Sequence, residues 1–381
     1  MDEHETMSDT HILLVSAQAA PNLLPTLDPE LRPREAVLVV SGKMQKRAED
    51  LERVLREAGV QTSRVDVENE HDLVNLEEAF LRIADDKAGH RIALNLTGGT
   101  KLMALAAQNV ASTAGWESFY VDVDTDEAIP LDRTQPARAL APALGLSHYL
   151  QAYGFRREKA TPPPPLRAGV DELLQTLVTQ VGSLERPLGQ LNYLAEQAER
   201  NNRTSVQMND AQLDSRSLNA LLRSFEEAGL LRVVGEAIHF TDAPARSFAK
   251  GGWLERHVFR RVAALRDELG MRDQEANLHL VDAEGVRNEL DVAFIARNRL
   301  FVIECKTSRM DGERSEKAND TLFKLAEVCR RVGGLGARAM LVSYRQMREA
   351  ELQLASALGI DVVFGAAIAR LDDRLRAWVR P

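Results

Sequence analysis

Apolar runs of strand length recur along the first third of the chain, and the stretches between them repeat apolar residues three and four positions apart. The runs "ILLVS" (12–16), "AVLVV" (36–40), "RIALNL" (91–96) and "WESFYVDV" (116–123) read as strands. The first three are almost continuously apolar, which predicts parallel strands covered on both faces. Over residues 44–58, Leu51, Val54, Leu55 and Ala58 share one stripe and Gly59 follows as a stop signal, so the spacing predicts a helix. Further helices are predicted over about 72–86 and 101–114. Alternating strand and helix predicts a doubly wound α/β unit within residues 1–155.

The pattern breaks at "RREKATPPPPLRA" (156–168), where four consecutive prolines predict a stiff extended connector. A mainly helical segment, 169–248, follows. It ends in "SLNALLRSFEEAGLLRVVGEAIHFTD" (217–242): a helix, a stop at Gly229, then two short strands around Gly235, the order of a winged helix. From "KGGWLERHVFRRVAALRDELG" (250–270) a further α/β unit, 249–381, runs to the end. Inside it lies "NELDVAFIARNRLFVIECKTS" (288–308). Its apolar runs, from Leu290 to Ala296 and from Leu300 to Ile303, flank a polar Arg-Asn-Arg turn and predict a hairpin. The expected whole is α/β: a Rossmann-like unit, a helical, winged-helix-like spacer, and a second α/β domain.

Composition narrows this little. A chain of 381 residues is expected to form two or three domains, and 44% hydrophobic with 28% charged residues suits a soluble protein. No apolar run approaches the roughly 20 residues of a membrane span, and the acidic start "MDEHETMSDT" lacks the features of a signal peptide. Cys305 and Cys329 give no disulfide framework, which points to a reducing cytoplasm. With a net charge of −9, contact with nucleic acid must run through a local basic groove or through metal ions.

Two constellations carry chemistry. In an open α/β sheet, ligands bind beyond the carboxyl ends of the strands. Those ends here carry Ser16 and Gln18, then Ser41, Gly42 and Lys43, then Thr97, Gly98, Gly99, Thr100 and Lys101 of "NLTGGTKLM" (95–103). The last group bridges a strand to a helix N-terminus, whose free N–H groups and dipole favour an anion. The same turn would serve equally as a helix cap with nothing bound. P-loop spacing is missing, which argues against ATP hydrolysis. "NLTGGTKLM" with the earlier "SGK" resembles the CARF domain, the Rossmann-like sensor of CRISPR-associated defence proteins, over roughly residues 11–150. That resemblance implies a homodimer whose sensors share one pocket for a cyclic oligoadenylate, most often cyclic tetra-adenylate. The contacts would fall on Ser16, Gln18, Ser41, Lys43, Thr97, Gly98, Gly99, Thr100 and Lys101.

The second constellation lies in the hairpin. A period of two puts Glu304 and Lys306 on one face, and Asp291 reaches it if the strands pair in register. Two carboxylates can hold Mg²⁺ or Mn²⁺ through oxygen, the arrangement for metal-assisted phosphodiester hydrolysis, and Lys306 can orient water or stabilise the transition state. The alternative is a buried ion pair, rarely favourable for stability alone. These residues resemble the PD-(D/E)xK nuclease superfamily, with Leu290 in place of the name-giving proline. The resemblance adds Glu255 of "GGWLERHVF" as a further metal ligand; Glu289 shares a face with Asp291, and Lys324 is read as solvated. Together the two motifs resemble the CARF nucleases of type III CRISPR systems, which implies cleavage of single-stranded DNA and RNA and nicking of supercoiled DNA. A competing reading is a ligand-controlled transcription regulator acting through residues 217–242, but Arg223 there is set against Glu226 and Glu227, which would repel phosphate.

Overall fold

A computed structural model describes residues 8–163, 168–307 and 316–380. Residues 1–7 of the acidic start and 164–167 of the expected connector lie outside the described residues. The sensor unit alternates β1 (Thr10–Leu14), α1 (Ala20–Leu27), β2 (Glu35–Ser41), α2 (Gln45–Glu57), β3 (Gln61–Val67), α3 (Leu73–Asp86), β4 (Ile92–Asn95), α4 (Lys101–Ala114) and β5 (Glu117–Asp122). Strands β6 (Glu127–Pro130) and β7 (Arg138–Ala139) and helix α5 (Leu146–Ala152) complete it. Strand order is β3-β2-β1-β4-β5-β6-β7, parallel through β5 and antiparallel beyond. The order reverses between β1 and β4, which opens a crevice at their carboxyl ends. The predicted α/β unit is present, with β3, β6, β7, α1 and α5 in addition to the elements expected.

Residues 156–160, expected to begin the connector, instead lie in β8 (Phe155–Ala160), the edge strand of the last sheet. Only Phe155 in it is buried, so the sequence carries no apolar alternation to mark it. The middle segment holds α6 (Ala168–Thr179), α7 (Val181–Arg200), β9 (Ser205–Gln207), α8 (Asp210–Leu213), α9 (Arg216–Glu227), β10 (Leu231–Val234), β11 (Ala237–Phe240) and α10 (Ala243–Ser247). Its small sheet, β10-β11-β9, gives α9 the wing expected of it. The segment Phe248–Gly252, kinked at Gly251, leads into α11 (Trp253–Ala264).

The last domain builds a six-stranded sheet, β16-β15-β14-β13-β12-β8. It comprises β12 (Asp273–Asp282), β13 (Arg287–Ala296), β14 (Arg299–Lys306), α12 (Glu316–Gly333), β15 (Arg338–Ser343), α13 (Glu349–Ala357), β16 (Ile360–Phe364) and α14 (Leu371–Val379). The predicted hairpin is β13–β14. Arg297 and Asn298 turn it with left-handed φ of 47° and 54°, which matches the twist of the strands it joins.

This sheet is covered on both faces. Leu13 and Leu150 of the sensor share one core with Leu290, Leu300 and Leu322, while Leu191 and Phe225 of the middle segment share another with Trp253, Val292 and Ile303. Burial of this kind, worth roughly 25 cal/mol per Å² of apolar surface, makes the middle segment part of the last domain's packing. No helix among the described residues is long and apolar enough to cross a membrane.

Candidate active site and sensor crevice

The hairpin register pairs Val292 with Ile303, and one step further sets Asp291 across from Glu304. The Cys305 N–H donates to Asp291 Oδ2 at 2.7 Å, tying the first acid to the second strand. Lys306 Nζ lies 2.5 Å from Glu304 Oε1. Strand alternation breaks at Asp291: Leu290 packs into the core shared with the sensor and Val292 into the opposite one. Opposite it on β12, Asn277 takes a φ of 48° and drops out of the register. Such an irregularity re-aims a side chain next to an active site.

Burial, then the nearby Glu304 and Glu255 carboxylates, push the Asp291 carboxyl well above its ordinary value. Burial also raises Glu255, helped by Glu289 and Glu304 and opposed by Lys306 and Lys250. Burial works against the Lys306 ammonium, but Glu304 and Asp291 outweigh it and the pKa rises. The structure thus brings Asp291, Glu304, Lys306 and Glu255 into one electrostatic cluster of three acids and one base. Glu289 is exposed, 3.8 Å from His279 Nε2, and Lys324 is exposed on α12.

Among the described residues no three His, Cys, Asp or Glu side chains gather closely enough to hold an ion by themselves. The expected three-ligand set of Asp291, Glu304 and Glu255 is therefore not assembled as such; carboxylates with no cation between them repel. A hydrated Mg²⁺ or Mn²⁺ asks for less. It is commonly held by one or two carboxylates and keeps several waters; Asp291 and Glu304 are the side chains here that could hold one.

At the sensor crevice, much of the predicted turn is used by the fold itself. Thr97 donates both its N–H and its hydroxyl to Asn95 Oδ1, at 3.1 and 2.8 Å, and its hydroxyl accepts from Val121 N. Thr100 caps α4 by accepting from Met103 N. A Cβ at Gly98 would stand 1.9 Å from the Leu14 carbonyl oxygen, and Gly99 has a φ of 70°. Glycine is required at both positions with or without a ligand. Beneath lies a buried pair that sequence reasoning missed. Asn95 donates to Pro21 O and Asn22 Oδ1, and Asn22 donates to Leu14 O. The only cue was an Asn inside an apolar strand.

Lys101 is exposed at the α4 N-terminus. Lys43 lies 3.0 Å from Glu70, and Lys43 with the buried Ser41 hydroxyl holds the Glu70 carboxyl below its ordinary range. Ser16 is half-buried and bonds the Gln18 backbone. The Gln18 side chain reaches out of the sensor, its Oε1 accepting from Leu335 N at 2.9 Å, just beyond α12. Arg299, beside the hairpin turn, likewise donates to Val123 O just after β5.

Residues 10–149 match the family described as the Card1 CARF domain, and residues 242–381 match that described as the Card1-like endonuclease domain. The solved structure of protein VC1899 from Vibrio cholerae is 27% identical, with 97% of each chain covered and a TM-score of 0.88. Can2 from Sulfobacillus thermosulfidooxidans, solved in complex with cyclic tetra-adenylate, shares the fold: it is 24% identical, covers 98% of this chain and 100% of its own, and gives a TM-score of 0.84. A type III CRISPR defence DNA nuclease activated by cyclic oligoadenylate matches at 22% identity and a TM-score of 0.56, over 90% of this chain and 46% of that one. No curated protein matches.

Proposed function

Because the chain joins a CARF domain of the Card1 kind to a Card1-like endonuclease domain, we propose that it is an endonuclease switched on by cyclic tetra-adenylate and dependent on Mg²⁺ or Mn²⁺. It works as a homodimer in type III CRISPR defence, cutting single-stranded DNA and RNA and nicking supercoiled DNA. The observation that carries the reading is the half-buried imbalance of Asp291, Glu304 and Glu255 against Lys306, gathered from two paired strands and α11.

Asp291 and Glu304 would hold the cation, with Glu255 beside them. Bound there, the ion would act as a Lewis acid toward the scissile phosphodiester and make water a stronger nucleophile. Lys306 keeps its proton, because the carboxylates around it outweigh the effect of burial. It would orient the attacking water and offset charge on the phosphate. At the sensor, Lys101 and the α4 N-terminus receive phosphate, and Lys43 joins once it leaves Glu70.

A cleavage assay on labelled single-stranded DNA, RNA and supercoiled DNA, with a panel of cyclic oligoadenylates and of metals, tests this directly. Cutting should need cyclic tetra-adenylate and a divalent ion together. Activity that persists in chelator, or in its absence of activator, would end the reading. No observation favours the transcription-regulator alternative: α9 keeps Glu226 and Glu227 exposed, with Glu226 Oε1 bonded to Val233 N.

A further inference from the structure

The middle segment was expected to be a spacer, yet one of its side chains sits at the junction of both elements that carry the nuclease acids. Asn192 of α7 donates from Nδ2 to Thr307 Oγ1 at 3.0 Å and to the Lys250 carbonyl oxygen. Thr307 follows Lys306 at the end of β14, and Lys250 lies in the kinked segment that leads into α11 and Glu255. The Thr307 hydroxyl in turn donates to Lys250 O at 3.3 Å, closing a triangle of polar contacts between three separate elements.

The backbone is shaped around this knot. Gly251 has a φ of 144°, and a Cβ there would stand 2.1 Å from Thr307 Oγ1. The chain kinks at Gly251, where two helical segments meet. Lys250 is anchored a second time by α7, with Nζ 2.5 Å from Glu199 Oε2, and its charge also bears on Glu255.

From this arrangement we infer that Asn192 is a positioning residue of the nuclease site. Resting on the nuclease reading, it sets the distance of Glu255 on α11 from Glu304 and Lys306 on β14. It touches none of the reacting atoms. Its two N–H bonds act on the pieces that carry them, and a displacement of about 1 Å in such a site costs on the order of 10²-fold in rate.

Asn192→Asp keeps the shape but loses both donors, and Thr307→Val removes the shared hydroxyl. In the full-length protein each should lower kcat, and weaken Mn²⁺ binding followed by the free-ion EPR signal without substrate, by about 10- to 100-fold. Affinity for cyclic tetra-adenylate and substrate KM should stay near wild type, each variant should remain folded at the assay temperature, and the double variant should be no worse than the poorer single one. Wild-type kcat and Mn²⁺ binding in a folded Asn192→Asp protein would overturn the assignment, as would strictly additive losses. If the wild type itself cuts nothing, the nuclease reading falls, while the Mn²⁺ arm still decides whether Asn192 organises the acids.

Discussion

The turn Thr97–Lys101 and the cluster Asp291–Glu304–Lys306–Glu255 were both singled out as ligand sites, and they differ in how their polar groups are satisfied. In the turn, Thr97 is matched by Asn95 and Val121, Thr100 by the first turn of its own helix, and Gly98 by the carbonyl it packs on. Little is left over but Lys101. In the cluster, three carboxylates face one ammonium, and burial raises two of the acids. A turn of the first kind is complete without a ligand and lends it backbone dipoles. A cluster of the second kind holds its acids at raised pKa through burial and mutual repulsion.

The largest effect expected is at the cluster. Glu304→Gln or Lys306→Ala should lower cleavage by about 10²- to 10³-fold or more, with activator affinity, read by calorimetry, unchanged. Retained cutting would break the contrast by removing chemistry from the cluster.

Two variants of the sensor turn should separate its fold from its ligand. Gly98→Ala drives a methyl into Leu14 O and should lower the unfolding midpoint, at a cost of roughly 1–3 kcal/mol. Lys101→Ala should leave that midpoint alone and weaken cyclic tetra-adenylate by about 10-fold, the worth of one charge-assisted hydrogen bond. Equal thermal effects from the two would erase the distinction.

Asp291→Asn sharpens the contrast from the side of stability. Its folded pKa is raised, so the folded chain holds this proton while the unfolded chain has already lost it. Stability is therefore lost as pH rises from about 4, the unfolded value, toward the raised one. In chelator, the Asn variant should unfold later than wild type at pH 7, by about 1 kcal/mol, and the gap should close toward pH 4. Mg²⁺ should stabilise the wild type alone. An Asn variant less stable at pH 7 would show that the carboxylate is satisfied without a cation. The smallest effect belongs to Glu70→Gln, which frees Lys43 from its ion pair with Glu70. Activator binding should tighten by no more than a few-fold, and weaker binding would place Glu70 among the ligand contacts.

Where a residue's meaning was local, the sequence was readable. The apolar runs of β1, β2, β4 and β5, the stripe of α2, and the Arg-Asn turn of the hairpin follow from side-chain period and backbone preference. So does the placing of Glu304 and Lys306 on one strand face, where they form the ion pair expected under the alternative to a metal site. Strand β8 was not readable, since its charged residues suit a solvated edge and its ion pairs, Arg157 with Glu275 and Glu158 with Arg287, lie on distant strands.

By itself, then, the chain determined which segments become strands and helices, where glycine is obligatory, and which charged side chains share a strand face, because each depends on neighbours a few residues away. Tertiary structure alone decided that β8 joins the last sheet, that Gln18 turns from the crevice to Leu335, and that Asn192 knots α7 to both acid-bearing elements. Those outcomes depend on which group fills a hydrogen bond across 58 to 317 residues of chain, and only close packing of the assembled cores selects that partner.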